Sequence, residues 1–161
     1  MEKTPASSYI VRFNDCDPLG HLNNSKYIDY FINAREDHLR DFYQIDLKEW
    51  ARQGIGFVVT RHEIRYIRPA FYNERVTIQS SLIDKGDSWI QVELTMWDES
   101  RQTLKAIIWT RFTRVDPQTG KRADHPEEFT EKFVRPLLVE EAGAEKGMDA
   151  RLAVLLQKNR P

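Results

Sequence analysis

The chain has very little cysteine and almost no net charge, and both shortages restrict what it can do. Among 161 residues there is one cysteine, Cys16, which excludes an internal disulfide and a multi-cysteine metal site. Lys and Arg number 24 against 25 Asp and Glu, so the chain lacks the positive electrostatic field that attracts nucleic acids. No apolar run approaches the roughly 18 residues of a membrane-spanning helix, and the first residues show no signal peptide. We therefore expect no nucleic-acid partner, no membrane partner and a cytoplasmic location.

Glycine and proline are also scarce, with seven of each, while apolar residues make up 40% of the chain. This composition is typical of a folded globular protein and unlike that of disordered or collagen-like chains. The length suits one domain with a sizeable core. We predict a main domain over residues 1–135 and a C-terminal extension over 136–161, with a linker at 136–148 and a short helix at 149–158.

Hydrophobic periodicity predicts one long helix among several strands. Bulky residues recur at intervals of three and four in residues 25–43, which indicates an amphipathic helix. Alternation at intervals of two predicts strands at 8–14, 57–68, 75–85, 88–98 and 104–115. This order predicts an α+β fold in which a curved antiparallel sheet of about five strands wraps around one long central helix. Pairing with a second copy would cover the edge strands that such a sheet leaves.

The chemistry-bearing residues concentrate in DCDPLGHLNN, residues 15–24, where two carboxylates, an imidazole and two amides lie close together. A calcium-loop pattern begins there but fails at Leu19 and at Lys26, where a bidentate glutamate belongs. We expect no metal. A nucleophilic pair of Cys16 and His21 stays an alternative, although single cysteines are mostly inert.

An acid before a helix N-terminus is the more specific pattern in this stretch. If the helix begins near Asn24, its first N–H groups are unsatisfied and can bind a developing oxyanion. Asp17 lies seven residues earlier and could face the same carbonyl group across the turn, which makes a minimal acyl-transfer site. His21 could orient a water or position Asp17. The competing interpretation is structural, because Asp, Gly and Asn favour turns and a carboxylate there can simply bind backbone groups.

Two longer stretches resemble a known family. VRFNDCDPLGHLNNSKYIDYFINAR, residues 11–35, resembles the N-terminal signature of hotdog-fold acyl-CoA thioesterases of the 4-hydroxybenzoyl-CoA thioesterase family. IRYIRPAFYNERVTIQSSL, residues 64–82, is similar to the second and third strands of that family. The resemblance covers about residues 8–116. It implies a hotdog fold, hydrolysis of an acyl-CoA to a free acid and CoA, no cofactor, and a homodimer or homotetramer with active sites between subunits.

The resemblance also implies roles for particular residues. The catalytic carboxylate of one branch falls on Asp17, and the backbone N–H that polarises the thioester carbonyl falls on Asn24. His21 is a helper whose role stays open, because plant acyl-carrier-protein thioesterases carry a catalytic Asn at the position of Leu19. The candidate substrate-binding residues are Asn23, Tyr27, Phe57, Val58, Val59, Thr60, Arg68 and Lys85.

These residues are substrate-binding candidates for different reasons. Asn23 and Tyr27 match the G-H-x-N-N-x-x-Y motif of a branch that acts on fatty acyl thioesters. Residues 57–60 would come from the partner subunit as part of an apolar acyl pocket, or are simply strand core. Arg68 and Lys85 could meet CoA phosphates. A hotdog hydratase or dehydratase and a non-catalytic acyl-CoA-binding protein remain alternative functions.

Overall fold

The computed structural model describes residues 1–158, in which five antiparallel strands curve around one long helix. In chain order the first elements are β1 (Ala6–Ile10), α1 (Tyr27–Tyr43), α2 (Leu47–Arg52), β2 (Gly56–Tyr66), β3 (Arg75–Lys85), β4 (Trp89–Asp98) and β5 (Leu104–Val115). A helical segment at 127–137 follows, built from Glu127–Phe129, a π-helical stretch Thr130–Val134, and Arg135–Leu137. Two 3₁₀ turns then lead to the C-terminal helix Met148–Lys158. None of these helices is long and apolar enough to cross a bilayer.

The strand order in the sheet is β1-β3-β4-β5-β2, so β1 and β2 are its two edges. Hairpins join β3 to β4 and β4 to β5, as the turn residues between them predict. The long β2 pairs with β5 along its whole length, and no strand of residues 1–158 lies on its other side. Its outward N–H and C=O groups therefore form an open edge.

Helix α1 fills the concave side of the sheet. Tyr27, Phe31 and Ala34 follow one another at intervals of four and three and are buried against strand residues that include Ile78 and Leu94. This arrangement is the hotdog fold, so the fold predicted from the sequence is confirmed.

The convex side of the sheet is covered by the C-terminal part of the chain. Ile107 and Trp109 of β5 pack in a second apolar cluster with Met148 of the C-terminal helix. Glu93 is buried beneath that helix, where Arg151 binds it through both carboxylate oxygens at 2.8–3.2 Å and Trp109 Nε1–H donates to it at 3.0 Å. The central strands are buried on both faces for this reason.

A small polar cluster interrupts the apolar contact between α1 and β3. The buried Ser80 hydroxyl lies 2.7 Å from His38 Nδ1 and accepts a hydrogen bond from Arg35 Nη1 at 3.2 Å. Since no other acceptor for the Ser80 proton occurs in the described residues, we assign that proton to the contact with His38. His38 Nε2 is buried without a hydrogen-bond partner. Burial, followed by the nearby Arg35 charge, lowers the pKa of His38 from 6.5 to about 4.

The first strand is shorter than predicted and lies earlier in the chain. The alternating pattern over 8–14 predicted a strand, but β1 ends at Ile10 and Phe13–Asp15 form a 3₁₀ turn. The Arg12 N–H donates to the Tyr30 hydroxyl at 3.0 Å instead of to a neighbouring strand. The ring of Phe13, which continues the alternation through Tyr9 and Val11, is largely exposed.

The bounds of other elements differ from the predicted ones. Helix α1 begins at Tyr27 after a 3₁₀ turn at Asn24–Lys26, slightly later than the predicted residue 25. Strand β2 ends at Tyr66 instead of residue 68. The predicted linker at 136–148 contains 3₁₀ turns, and the predicted boundary at 135 falls inside the 127–137 segment. Residues 159–161 of the predicted extension lie outside the described residues.

Removing Arg151 should destabilise the fold strongly. Arg151→Ala leaves the Glu93 carboxylate buried without its cation, which costs roughly 3 kcal/mol or more. Urea unfolding measures this loss. The matched control is Arg65→Ala, because Arg65 also reaches the C-terminal helix, through the exposed Asp149 at 3.5 Å. That change should cost less than about 1 kcal/mol. Equal effects of the two changes would contradict this account.

Acid should destabilise the wild type more than a His38→Gln variant. Because the folded-state pKa of His38 lies near 4 and the ordinary value is 6.5, only the unfolded chain takes up this proton between those pH values. The contribution of His38 is therefore complete above pH 6.5 and is lost as the pH falls toward 4. Between pH 7 and pH 5 the wild type should lose about 2 kcal/mol more of its unfolding free energy than the variant. Parallel losses in the two proteins would show that His38 is not the titrating group.

Candidate active site

The stretch 15–23 folds into a tight loop held by its own backbone. Cys16 and Leu22 form an antiparallel bridge, and the Asp17 N–H donates to the His21 carbonyl oxygen at 2.8 Å. The Gly20 N–H donates to the Asp17 carbonyl oxygen at 3.0 Å. Gly20 has a φ of 77°, a conformation that other L-residues adopt only with strain. The glycine therefore lets the chain reverse between Asp17 and His21.

The Asp17 carboxylate has a structural contact and a free oxygen. Its Oδ1 accepts hydrogen bonds from the N–H groups of Leu19 at 2.9 Å and His21 at 3.1 Å. No hydrogen bond of the described chain uses Oδ2. The turn-stabilising interpretation of the half-buried Asp17 therefore accounts for one carboxylate oxygen, while the second oxygen has no partner in the described chain.

The 3₁₀ turn Asn24–Lys26 follows this loop directly and leads into α1. Asn23 caps this turn, since Asn23 Oδ1 accepts from the N–H of Ser25 at 3.0 Å and from its hydroxyl at 2.8 Å. The Lys26 N–H donates to the Asn23 carbonyl oxygen at 2.8 Å. Within the described chain the Asn24 N–H has no acceptor, so it is an uncommitted donor at the start of the 3₁₀ turn that leads into α1.

The loop and the helix end are close enough to share a ligand group. Asp17 pairs with His21, and Asn24 lies three residues beyond His21, which places the two backbones roughly 10 Å apart. The Asp17 side chain and a carbonyl group lying between them can span that gap. One chain therefore carries, on neighbouring segments, a carboxylate oxygen and a backbone N–H that have no partner in the described chain.

His21 and Tyr27 serve packing in this structure. His21 bridges Phe71 through its backbone, and its ring meets the Phe71 ring edge-on at 5.1 Å. Tyr27 is buried, and its hydroxyl accepts the Ala70 N–H at 3.1 Å. Together they fix the loop at 69–74 against the helix end. Their predicted roles in catalysis and substrate binding stay predictions.

The predicted acyl-pocket residues lie at the other end of β2. Tyr66, whose hydroxyl donates to the Asn24 carbonyl oxygen at 3.0 Å, ends the strand beside the helix N-terminus. Phe57, the second residue of the strand, lies nine residues earlier, roughly 30 Å away along the strand. Val58 and Val59 are exposed, and the Thr60 hydroxyl lies 2.7 Å from that of Thr113. One chain alone does not bring residues 57–60 to Asp17.

The two candidate phosphate-binding cations lie at opposite ends of the sheet. Arg68 is exposed just beyond Tyr66, near the Asp17 loop. Lys85 is exposed at the end of β3, opposite Ile90, which itself pairs across the sheet toward Phe112 and Val59. Arg68 therefore lies near the helix end of its own chain, whereas Lys85 lies at the same end of the sheet as residues 57–60.

Sequence reasoning missed a carboxylate that braces the site. The Tyr30 hydroxyl donates to Asp15 Oδ2 at 2.7 Å and accepts from the Arg12 N–H, which ties α1 to the loop. Burial, together with this contact, raises the pKa of Tyr30 to about 12. The sequence between Asp15 and Tyr30 contains no pattern that predicts a contact between these two residues.

Comparison with known proteins identifies the family. The family model of the thioesterase-like superfamily matches residues 11–133. The long-chain acyl-CoA thioesterase FadM of Escherichia coli is 32% identical over 126 residues, which span 76% of this chain and 92% of FadM. The chain belongs to the thioesterase-like superfamily, and the predicted family is confirmed.

Solved structures agree with this assignment. YbaW, a probable thioesterase from Escherichia coli, superposes with a TM-score of 0.70 at 27% identity and covers 79% of this chain and 94% of its own. Slr0204, a 1,4-dihydroxy-2-naphthoyl-CoA thioesterase from Synechocystis, gives a TM-score of 0.72 at 15% identity over 82% and 96% of the two chains. The second likeness supports the fold alone.

Proposed function

We propose that this chain hydrolyses an acyl-CoA thioester to a free carboxylic acid and CoA. The observation that carries the proposal is that Asp17 Oδ2 and the Asn24 N–H, at the start of the 3₁₀ turn before α1, both lack a partner in the described chain. The similarity to FadM supports the substrate class.

The proposed chemistry divides between the two groups. The thioester carbonyl oxygen lies against the Asn24 N–H, where the helix N-terminus stabilises the negative charge that develops on it. In one route Asp17 takes a proton from water as the water oxygen attacks the carbonyl carbon. The carbon–sulfur bond then breaks, and the proton passes to the departing CoA thiolate.

In the second route Asp17 Oδ2 attacks the carbonyl carbon itself. This attack expels the CoA thiolate and leaves a mixed anhydride, which water hydrolyses to the acid and the free carboxylate. Either route uses Oδ2, because Oδ1 is already held by two backbone N–H groups. Those hydrogen bonds orient the carboxylate before substrate arrives.

We also propose that two copies share each active site. If the open edges of two β2 strands pair antiparallel, the start of one strand lies opposite the end of the other. Phe57, Val58 and Val59 of one copy then approach the helix end beside Tyr66 of the partner. This pairing closes the open edge and brings apolar side chains to the thioester site. A tetramer made from two such dimers would keep the same interface.

The proposed CoA contacts follow from the same pairing. Arg68 of the copy that supplies Asp17 and Lys85 of the copy that supplies residues 57–60 would lie on the same side of the shared site. Both are exposed cations of the kind that bind phosphate groups. A cytoplasmic location remains part of the proposal, with Cys16 as a free thiol.

Replacing Asp17 by Asn should abolish turnover with little effect on binding. The amide oxygen still accepts the two turn hydrogen bonds, so the loop should keep its shape, while the base or nucleophile is gone. We expect kcat to fall by about a hundredfold to ten-thousandfold, with KM changing little. Thiol release from short, long and aromatic acyl-CoAs measures both constants.

The matched control is Asp15→Asn, two residues away, whose carboxylate is occupied by the Tyr30 hydroxyl. This variant should keep most of its turnover. An unchanged kcat in Asp17→Asn would remove Asp17 from the mechanism. Tight binding of acyl-CoA by the wild type without any turnover would instead indicate a binding protein.

The β2 edge should be protected in solution. Light scattering should give twice or four times the mass of one chain, and backbone amides of 56–66 should exchange slowly with deuterium because the pairing buries them. Strand β1 is the internal control, since it forms the opposite edge of the same sheet. A monomeric mass, or exchange in β2 as fast as in the outer edge of β1, would contradict the shared site.

A further inference from the structure

An apolar cavity of about 330 Å³ lies beside α1, away from the Asp17 loop. It is enclosed by one face of α1, by α2, by the start of β2 and by the 127–137 segment. Aliphatic and aromatic side chains line most of it, among them Leu39, Trp50, Phe57, Phe112 and Phe133. Its volume is at the lower end of the range of about 300–1,000 Å³ for small-molecule sites. The walls suit a hydrocarbon chain.

One charged group is set into this apolar wall at depth. Arg35 lines the cavity and is only 7% exposed, and no carboxylate of the described chain lies within salt-bridge distance of it. Its contacts are a hydrogen bond to the Ser80 hydroxyl at 3.2 Å and the face of the Tyr43 ring at 5.8 Å. The Ser80 hydroxyl is also shared with His38. Arg35 therefore has five N–H donors and few acceptors.

A buried cation without an anion is costly. Taking a guanidinium out of water costs several kcal/mol unless an opposite charge compensates it. Two other arginines show such compensation: the part-buried Arg151 meets Glu93, and the exposed Arg40 meets both Asp37 and Asp41. Arg35 differs from them in facing a cavity. Glu36, the next residue, also lines the cavity, but it is exposed to solvent at the rim.

We propose that this cavity binds an aliphatic carboxylate, with the hydrocarbon chain against the apolar wall and the carboxylate on Arg35. The planar guanidinium presents two parallel N–H groups that match the two oxygens of a carboxylate. The chain displaces water from Leu39, Trp50 and Phe133. The ligand supplies the anion that the protein itself does not place beside Arg35.

Two kinds of ligand combine a hydrocarbon chain with a carboxylate. A free fatty acid carries its carboxylate at one end, and a dicarboxylic acyl thioester carries one at the end remote from its thioester. In the first case the cavity is a separate binding site. In the second it selects the distal end of the substrate, which rests on the proposed thioesterase function.

Calorimetry with decanoate and decan-1-ol, below their aggregation concentrations, tests the binding site without any turnover. The two ligands share their alkyl chain and differ in charge. We expect the wild type to bind decanoate at least about tenfold more tightly than the alcohol, because only the carboxylate makes charge-assisted hydrogen bonds to the guanidinium. Equal affinities in the wild type would overturn the proposal without any variant, and so would the absence of decanoate binding.

Three variants locate the site. Arg35→Met removes the charge and keeps a long apolar side chain, so the preference for decanoate should vanish while the alcohol still binds. Arg40→Met, on the same helix but exposed and already paired, should keep the preference. Ala51→Trp, on the exposed side of α2, fills the cavity and should abolish binding of both ligands. A preference that survives in Arg35→Met would place the anion elsewhere.

Kinetics then separate the two sources. If the cavity holds the distal carboxylate of a substrate, the wild type should show a lower KM for the CoA ester of decanedioic acid than for decanoyl-CoA, and Arg35→Met should lose that difference. Equal KM values together with the calorimetric preference would assign the site to free fatty acids. Because calorimetry reads binding alone, an inactive enzyme that still prefers decanoate would refute the proposed hydrolysis and leave the carboxylate site intact.

Discussion

The packing of α1 into the concave face of the sheet is the constraint on which the candidate site depends. Tyr27, Phe31 and Ala34 are buried one turn after another, which fixes both the position and the direction of the helix. Asn23 accepts the N–H groups of Ser25 and Lys26 in the 3₁₀ turn that leads into this helix. The Asn24 N–H is left free at the point where the chain reverses through Asp17 and His21.

Contacts with two neighbouring loops fix the N-terminal part of α1 in place. The Tyr30 hydroxyl ties α1 to Asp15, and the Tyr27 hydroxyl ties it to the Ala70 N–H. Lys105 binds Glu74 at 2.8 Å and the Pro69 carbonyl oxygen at 3.1 Å, so the loop at 69–74 is anchored to β5. The proposed oxyanion donor thus belongs to the rigid part of the molecule, as pre-organised catalysis requires.

The length of β2 explains why one chain does not contain the whole proposed site. Its two ends carry the helix-facing Tyr66 and the apolar Phe57, and roughly 30 Å of strand separates them. Pairing two such edges antiparallel is the simplest symmetric arrangement that joins the ends. The Arg35 cavity lies wholly within one chain, so the proposed carboxylate site does not depend on this pairing.

Local patterns predicted the parts of the fold that local physics determines. The three-and-four spacing of Tyr27, Phe31 and Ala34 predicts the helix, and the alternation along β3 to β5 predicts the strands. The end of β1 was wrong because Phe13 continues an alternating pattern while the Arg12 N–H bonds to Tyr30, a partner eighteen residues away. No local pattern reports such a contact.

In the candidate site, too, local features could be predicted from the sequence and long-range contacts could not. Residue types within 15–24 predicted the turn and the helix end, because caps and turns are local features. The unpaired state of Arg35 could not be predicted, since it depends on which carboxylates come near after α1, α2 and the 127–137 segment have packed. The helix pattern alone predicts Arg35 to be an ordinary solvent-exposed charge.

Subunit complementation tests the shared active site most directly. Asp17→Asn removes the proposed catalytic carboxylate, and Val59→Trp blocks the partner's proposed acyl pocket, on the face that Val59 shares with the cavity-lining Phe112. Each variant alone should be inactive toward an acyl-CoA that the wild type hydrolyses. After unfolding and refolding together in equal amounts, mixed dimers should restore about a quarter of the wild-type activity, because one site in each mixed dimer is intact. A mixture that stays inactive although mixed dimers form would show that one chain supplies the whole site.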